Sequence, residues 1–400
     1  MEAATDVRAP RLRATLRGDE ERVTPLELFF DLVFVLAITQ CTALMAAHPS
    51  WAGLARGLLV LGVLWWCWVG YAWLTSVVDP EEGAVRIAIF ASMAALLVAA
   101  LAVPHAFGDA GLVFAIAYGF ARYAQIVLLY IAGRDNERLR HSVIVGISFS
   151  TTIGVALLVV ASQLDGVAQG ALWAVALALD MGGPLVAGVE GWMLVPGHFA
   201  ERHGLIVLIA LGESVVAVGA GANAKVDSGV IAAAVFGMAV AATVWWLYFD
   251  VVAVVAARKL ARLPAGRVQN AMARDSYSFL HLPMIAGIIL VALGMKKTLA
   301  HVDHHLDIVP ATAMFGGVAL YLLAHVGFRY RNLRTINRQR LVTAAVLVAL
   351  LPLVVEIDAL AALALLSALL VGLISYEAIR FADARRRIRH ELAREPASAD

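Results

Sequence analysis

Twelve long apolar runs constrain the fold of this chain more than any short motif does. Each run holds about 20 residues, which is the length at which an α-helix crosses the hydrocarbon core of a bilayer. The runs cover roughly 25–47, 54–76, 84–104, 109–131, 141–162, 168–189, 203–222, 229–255, 275–295, 307–327, 340–355 and 358–379. Hydrophobic residues make up 62% of the chain and charged residues only 15%, whereas a water-soluble domain must cover its outside with polar groups. The sequence therefore predicts an all-α, polytopic integral membrane protein of about twelve transmembrane helices.

The basic residues favour one orientation of these helices. With a cytoplasmic N-terminus and alternating loops, 26 of the 31 Lys and Arg residues fall on the cytoplasmic side, four fall outside, and Arg122 lies within a span. Because cytoplasmic loops carry an excess of Lys and Arg, this split predicts an even number of spans and two cytoplasmic termini. Residues 1–24 are then a charged N-terminal segment without a cleavable signal peptide. Residues 380–400 are a charged tail, which we interpret as a solvated face or a lipid-headgroup contact.

The last two runs and a pair of recurring features refine this topology. Only Glu356–Asp358 separates the last two runs, so we expect a tight hairpin or a re-entrant pair there. Trp65–Trp66 recurs as Trp245–Trp246, and Asp31 and Glu213 stand at a similar offset of about 180 positions. These matches favour a parallel duplication of six plus six spans, although chance matches in a sequence rich in Ala, Val and Leu would also explain them. The two halves would comprise residues 25–190 and 201–379.

Ionisable side chains inside the spans are the candidate functional residues. Each costs about 2.5–3.5 kcal/mol at mid-bilayer on insertion scales, so each needs a reason to be there. We predict ion or proton coupling for Asp31, Glu213, Asp180 and Glu27, and a counter-charge role for Arg122. The secondary candidates are Asp250, Asp275 and His281, to which the family resemblance described below adds Glu201.

Glu27 and Asp31 are one helical turn apart and share a face with Val35 and Ile38. That face is expected to turn away from lipid, towards a cation, a water-filled cavity or an ion. Glu27 could instead be an interfacial residue favoured by the dipole of the helix N-terminus.

Arg122 is a base close to the middle of a predicted span, and a guanidinium cannot lose its charge by releasing a proton. We therefore expect at least one of Asp31, Asp180 and Glu213 to pair with it. The acids left over would be protonated for part of the time in a low dielectric, as proton or cation coupling requires. The alternative is that these ion pairs only fasten helices together.

Asp180 is followed by the sequence "MGGP", Met181–Pro184. A proline removes a backbone donor and clashes with the preceding turn. The pattern predicts either a helix broken beside a carboxylate, which frees carbonyl groups for an ion or substrate, or a simple packing kink.

Two motifs resemble a known bacterial family. The segments "TPLELFFDLVFVLAITQ" (Thr24–Gln40) and "ERHGLIVLIALGESVVAVG" (Glu201–Gly219) are similar to motifs of the low-temperature-requirement A family, and the resemblance extends over about 22–380. It implies a multi-pass protein of the bacterial inner (plasma) membrane that is linked by name to growth in the cold. The residues it carries over are Glu27, Phe30, Asp31, Glu201, Gly212 and Glu213.

The segment "FFDLVFVLAIT" (Phe29–Thr39) is also similar to the first helix of endolysosomal and bacterial potassium channels, whose signature is F-S-D followed by x-V-F-x-I-A-I-T. Those channels carry two six-span repeats, and their first helices line the pore. This chain departs from the signature at Phe30, which replaces the serine, and at Pro25, which stands at the position of an upstream arginine. In the seventh predicted run, 203–222, the sequence "LGES" stands in place of a second F-S-D.

These features lead to three functional hypotheses. The first is a cation- or proton-coupled channel or transporter in which Asp31 and Glu213 are equivalent elements of the two halves. The second is an inner-leaflet membrane enzyme or lipid-adaptation factor, for which the sequence offers no convincing nucleophile or metal cluster, so an enzyme is the less favoured alternative and stays open. The third is a structural or sensory scaffold. The expected partners are the lipid bilayer and a monovalent cation or proton, without nucleic acid, cofactor or metal, and a homo-oligomer is left open.

Overall fold

The computed structural model of the protein describes residues 22–221, 227–383 and 385–386. This part of the chain is helical and contains no β-strand, apart from an isolated bridge between His305 and Asp358. The helices are α1 Pro25–Ala47, α2 Trp51–Val77, α3 Gly83–Ala102, α4 Gly111–Ala132, α5 Glu137–His141, α6 Phe149–Ala161, α7 Gly166–Val186, α8 Pro196–Gly221, α9 Ser228–Phe249, α10 Val252–Ala261, α11 Arg267–Ala273, α12 His281–Ala300, α13 Ile308–Leu333, α14 Arg338–Ala349, α15 Leu351–Val354 and α16 Ala359–Arg380. Two π-helical segments, Ser142–Ser148 and Arg274–Phe279, precede α6 and α12.

Eleven helical segments in the described part of the chain are long and apolar enough to cross a membrane. Backbone N–H and C=O groups find no water in the bilayer core, so a spanning segment must satisfy them within its own helix. The chain is therefore an all-α, multi-pass membrane protein. Eleven of the twelve predicted runs correspond to these segments, with ends that differ by several residues. The span predicted at 203–222, for example, begins at Pro196.

The remaining predicted run, 340–355, differs from the expectation. It is divided between α14, which ends at Ala349, and the short α15, which begins at Leu351. Pro352 stands in the first turn of α15 and has no N–H to continue the hydrogen-bond ladder of α14. This run is therefore not one uninterrupted helix, and an even number of spans and the cytoplasmic side of the termini stay predictions. Residues 1–21 and 387–400, which hold most of the predicted N-terminal segment and tail, lie outside the described residues.

The "MGGP" sequence does not break its helix. Helix α7 continues through Pro184 and ends at Val186. A proline lacks an N–H and its ring crowds the carbonyl group four residues earlier, so Pro184 affects the turn that begins at Asp180, and α7 nevertheless continues for two residues beyond it. The expectation of a helix broken in mid-membrane beside Asp180 is therefore wrong.

The described chain divides into two compact units. The first comprises the described residues up to Val33, together with Trp66–Phe199 and Ala265–Asn270. The second comprises Phe34–Trp65, Ala200–Pro264 and the described residues from Ala271 onward. Helices α1, α2, α8 and α11 contribute residues to both units, whereas the other helices belong to one unit each.

In the first unit, α4 packs against α3 and α6, and α6 packs against α7. An aromatic cluster lies in this core, where the ring of Trp173 stacks on Phe107 with centroids 4.8 Å apart and contacts Phe114 at 5.0 Å. Aromatic contacts of this kind add to the energy of apolar burial. They fix α7 beside α4, which carries Arg122.

In the second unit, α12 and α13 make the closest helix pair, and α9 packs on α16. Gly287 of α12 faces Gly317 of α13, and a Cβ atom added at Gly287 would lie 2.6 Å from the carbonyl oxygen of Gly317. Small residues let two helix backbones approach in membranes, where van der Waals packing drives association. The two glycines therefore set the separation of α12 and α13.

Candidate functional site

A fully buried ion pair lies in the first unit between α4 and α7. The Arg122 guanidinium donates from Nη2 to Asp180 Oδ1 at 2.8 Å, and the two side chains are only 2% and 5% exposed. Thr151 Oγ1 and Tyr118 OH each donate to Asp180 at 2.7 Å, and Arg122 Nη1 donates to Gln125 Oε1 at 2.6 Å. Of the three acids considered as partners for Arg122, Asp180 is the one that makes the contact. A buried charge pair with this many hydrogen bonds has its desolvation largely compensated.

Helix α2 leaves room for the Arg122 side chain, because it has a glycine, Gly70, at the point of contact. A Cβ atom at Gly70 of α2 would lie 2.7 Å from Arg122 Nη1 and closer still to the amide group of Gln125. One residue on, Tyr71 OH donates to the carbonyl oxygen of Ala121 at 2.8 Å. The small residue and the tyrosine therefore place α2 directly against the turn of α4 that carries Arg122.

Glu27 belongs to the first turn of α1, where it closes a capping box with Thr24. The backbone N–H of Thr24 donates to Glu27 Oε2 at 2.9 Å, and the N–H of Glu27 donates to Thr24 Oγ1 at 3.3 Å. This S/T-x-x-E arrangement satisfies donors that a helix start leaves unpaired. His198 Nε2 also lies 2.9 Å from Glu27 Oε1, with both side chains buried. Glu27 thus has a structural explanation that the letters "TPLE" already contained.

Asp31 is buried one turn further along α1. Trp68 Nε1 donates to Asp31 Oδ1 at 2.8 Å, and 1% of Asp31 is exposed. The opposite face of the helix carries Leu28 and Leu32, which are exposed as a lipid-facing surface would be. The face that bears Glu27 and Asp31 is therefore turned inward, within the first unit.

Glu213 has a different environment from the other buried acids. It lies on α8 in the second unit, is 5% exposed, and accepts a hydrogen bond of 2.5 Å from Thr39 Oγ1 of α1. Thr42, one turn later on α1, places a second hydroxyl group near this carboxylate and donates to the carbonyl oxygen of Ile38 at 3.3 Å. In the part of the chain that the structure describes, Glu213 forms no ion pair within 4.0 Å. Its closest polar neighbours are neutral hydroxyl groups.

The secondary candidates do not form one site. Asp275 contacts Arg274 at 2.8 Å and Arg331 at 3.0 Å, and Asp250 forms an ion pair with Arg385. His281 Nε2 lies 2.8 Å from Tyr248 OH, and its Nδ1 lies 3.0 Å from the carbonyl oxygen of Ser276. Glu201 is exposed at the start of α8.

Sequence reasoning missed a second buried ion pair and several partners. Glu377 of α16 receives two hydrogen bonds from Arg340 of α14, at 3.0 and 2.8 Å, and both side chains are 6% exposed. Arg340 is one of the 26 bases predicted to lie on the cytoplasmic side, and Glu377 lies in the predicted run 358–379, where an acid in an apolar run is the same signal that identified the other acids. Thr151 and Thr39 gave no such signal, because hydroxyl side chains are common in membrane helices, and His198 lies between the predicted runs 168–189 and 203–222.

No group of three or more His, Cys, Asp or Glu side chains in the described residues could hold a metal ion. Both cysteines, Cys41 and Cys67, are buried and unbridged. The arrangement in each unit is thus one of carboxylates, hydroxyls and guanidinium groups. Among these groups the carboxylates can take up a proton or a cation, whereas the guanidinium groups stay positively charged.

Comparison with known proteins gives one family and one relative. A sequence profile of the family described as "Bacterial low temperature requirement A protein (LtrA)" matches residues 22–375. An uncharacterized protein of Rhizobium meliloti (strain 1021) is 29% identical over 317 residues, which cover 76% of this chain and 76% of the relative. No solved structure matches the chain significantly. The resemblance of α1 to the first helix of potassium channels stays a prediction.

Proposed function

This chain belongs to the bacterial low temperature requirement A (LtrA) family, and on that premise we propose that it moves a cation or a proton across the bacterial inner membrane through its intramembrane carboxylates. The observation that carries the proposal is the environment of Glu213. It is a carboxylate buried in the apolar helix α8, with hydroxyl groups rather than a cation as its immediate neighbours.

The partners of the buried acids distinguish the acids that hold helices together from those that are available for proton or cation coupling. Asp180, Glu377 and Asp250 each have an arginine at ion-pair distance, so their charges are neutralised within the protein. A carboxylate with only hydroxyl neighbours has two ways to avoid an isolated charge in low dielectric. It takes up a proton, or it takes up a cation whose remaining ligands are oxygen atoms. The carboxylate of Glu213 can take up a proton, and together with the hydroxyl oxygen of Thr39 it can also bind a cation.

The predicted two-half organisation belongs to this proposal. Asp31 and Glu213 would then be equivalent positions, the first in residues 25–190 and the second in residues 201–379. Trp68 donates to Asp31 as Thr39 donates to Glu213, so each carboxylate accepts a hydrogen bond from a neighbouring helix. Equivalent acids in two repeats are a common source of an ion pathway in transport proteins.

We expect the substitution Glu213→Gln to reduce flux at least tenfold. Glutamine keeps the size and hydrogen-bonding oxygen of glutamate but carries no charge and takes up no proton near neutral pH. The measurement is ion flux into proteoliposomes, followed separately with dyes for K⁺, Na⁺ and H⁺. Asp31→Asn is measured alongside and is expected to reduce the same flux.

The matched control is Glu356→Gln, which makes the same chemical change at an exposed residue of the second unit between α15 and α16. It should leave flux at the wild-type rate, and Glu213→Asp should retain part of it. Flux of no ion by well-folded wild-type protein would overturn the proposal and favour an inner-leaflet enzyme or a scaffold. Equal flux through wild type and Glu213→Gln would remove Glu213 from the pathway.

Replacement of Thr39 by valine should reduce flux less than Glu213→Gln does, and its main effect should be on the ion concentration at half-maximal flux. Valine has nearly the shape of threonine but lacks the hydroxyl group that donates to Glu213 at 2.5 Å. A hydrogen bond to a charged group contributes about 1.5–3 kcal/mol, so we expect the concentration of ion at half-maximal flux to shift about tenfold or more. Thr298→Val is the control, because that hydroxyl donates to the carbonyl oxygen of Gly294 within its own helix. An unchanged half-maximal concentration in Thr39→Val would show that the hydroxyl takes no part in ion binding.

A further inference from the structure

A polar cavity of about 150 Å³ lies in the second unit, where α9, α13 and α16 end and α14 begins. We call it the arginine cavity, because three arginines contribute to its wall. The charged side chains that line it are Arg329, Arg340, Arg385, Asp250 and Glu377. One water molecule needs only roughly 10–15 Å³ of such space, so the cavity admits a polyatomic group. It is separate from Glu213 and plays no part in the permeation proposal.

Two of the three arginines are matched by carboxylates. Arg340 binds both oxygens of Glu377, at 3.0 and 2.8 Å, and its Nη1 donates to the carbonyl oxygen of Leu247 at 3.1 Å. Arg385 forms an ion pair with Asp250, and its guanidinium lies 5.5 Å from the ring centroid of Trp246. These contacts hold both groups in place as parts of the wall.

Arg329 supplies the charge that remains. Its Nε donates to Thr335 Oγ1 at 3.0 Å, and in the described part of the chain neither of its Nη atoms has a hydrogen-bond partner or a carboxylate at ion-pair distance. The side chain is half-buried rather than extended into solvent. The lining residues thus carry three positive and two negative charges, and the excess is a guanidinium with four unused N–H donors.

An anion with several oxygens completes this arrangement. A guanidinium presents paired N–H donors in a plane, which matches two oxygens of a phosphate group and makes bonds about twice as strong as neutral ones. Part of the wall is apolar and is formed by Trp246, Val251, Val252 and Phe381. Because α16 ends and α14 begins at this cavity, we expect it to lie near a membrane surface, where lipid phosphates are found.

We propose that the arginine cavity binds a phosphate-bearing anion, with Arg329 as the residue that contacts its oxygens. The anion could be supplied by the headgroup of an anionic phospholipid or by a soluble phosphate compound. The chemistry is the same in both cases, but the apolar part of the wall contacts only a ligand that also carries carbon groups.

The test measures the midpoint of thermal unfolding of the full-length protein in detergent. A ligand that binds the folded state raises this midpoint according to its concentration and affinity. The probes are short-chain phosphatidylglycerol, short-chain phosphatidylcholine and inorganic phosphate, titrated separately. We expect phosphatidylglycerol to raise the midpoint of the wild type, and Arg329→Gln to weaken that binding about tenfold or more.

Two variants keep the test decisive. Arg338→Gln removes the same charge from an exposed residue at the start of α14 outside the cavity wall, and it should bind like the wild type. Arg329→Lys keeps the charge without the paired donors and should bind with intermediate affinity. Stabilisation by phosphate as strong as by phosphatidylglycerol would assign the site to a soluble anion. Equal responses of Arg329→Gln and Arg338→Gln to every probe, or no response in the wild type, would overturn the proposal.

Discussion

Replacing Arg122 with methionine is expected to lower the free energy of unfolding by about 3–5 kcal/mol, because it leaves the Asp180 carboxylate buried without a cation. Methionine fills a similar volume, so the loss comes from the charge rather than from a cavity. Tyr118 and Thr151 still donate to Asp180 at 2.7 Å each, but two neutral donors do not replace a guanidinium at 2.8 Å. The measurement is unfolding in detergent by chemical denaturant, followed by circular dichroism.

The control for this prediction is a double variant. Arg122→Met combined with Asp180→Leu removes both charges, and it should be more stable than Arg122→Met alone, because no buried charge is then left unpaired. Arg134→Met, at an exposed position just after α4, should change the free energy by less than about 0.5 kcal/mol. If Arg122→Met were as stable as Arg134→Met, the pair would contribute nothing to the fold and Asp180 would be a candidate for coupling again.

Replacing Gly287 with alanine is expected to lower the free energy of unfolding by about 1–3 kcal/mol, the range for added atoms in a well-packed core. The new Cβ atom would lie 2.6 Å from the carbonyl oxygen of Gly317 and 2.9 Å from the backbone nitrogen of Tyr321. These neighbours are backbone atoms, so the clash is relieved only if α12 and α13 move apart. Helix propensity alone would raise the free energy of unfolding, since alanine is favoured over glycine in a helix interior, so a decrease must come from the clash.

The same substitution at Gly372 of α16 is the matched control. No atom lies within 4 Å of a Cβ atom added there, so we expect Gly372→Ala to raise the free energy of unfolding by about 0.5–1 kcal/mol. Opposite signs for the two Gly→Ala variants, measured under one detergent condition, would confirm that contact between α12 and α13 decides the effect. A gain at both positions would show that the two helices are not closely packed in the membrane.

Local sequence rules predicted the elements well and their partners poorly. Apolar run length identified eleven segments that span by length and composition, whereas the run 340–355 is divided at Leu350, just before Pro352. Pro184 is likewise a proline within a predicted run, but α7 continues past it and ends at Val186. A proline thus removes one helix hydrogen bond wherever it stands in a helix interior, but the sequence alone does not indicate whether the helix ends there.

For the buried acids too, the sequence indicated their positions but not their partners. Glu27, Asp31, Asp180 and Glu213 were all identifiable as charges inside apolar runs, and all four are buried. Which of them pairs with Arg122 could not be read, because three acids at different positions satisfied the same requirement. The carboxylates also differ in the feature that matters for function, which is whether the nearest polar group is a guanidinium, an indole or a hydroxyl.

The sequence by itself determined that this protein is an all-α membrane protein of the LtrA family and which of its side chains need partners inside the bilayer. Those properties follow from hydropathy, helix length and motif, which are local along the chain. Only the tertiary structure decided that Asp180 is neutralised by Arg122, that Glu213 has hydroxyl neighbours, and that Arg329, among the residues the structure describes, has no carboxylate at ion-pair distance. The physical reason is that these helices carry apolar residues on every face, so their sequence does not indicate which face packs against which neighbour.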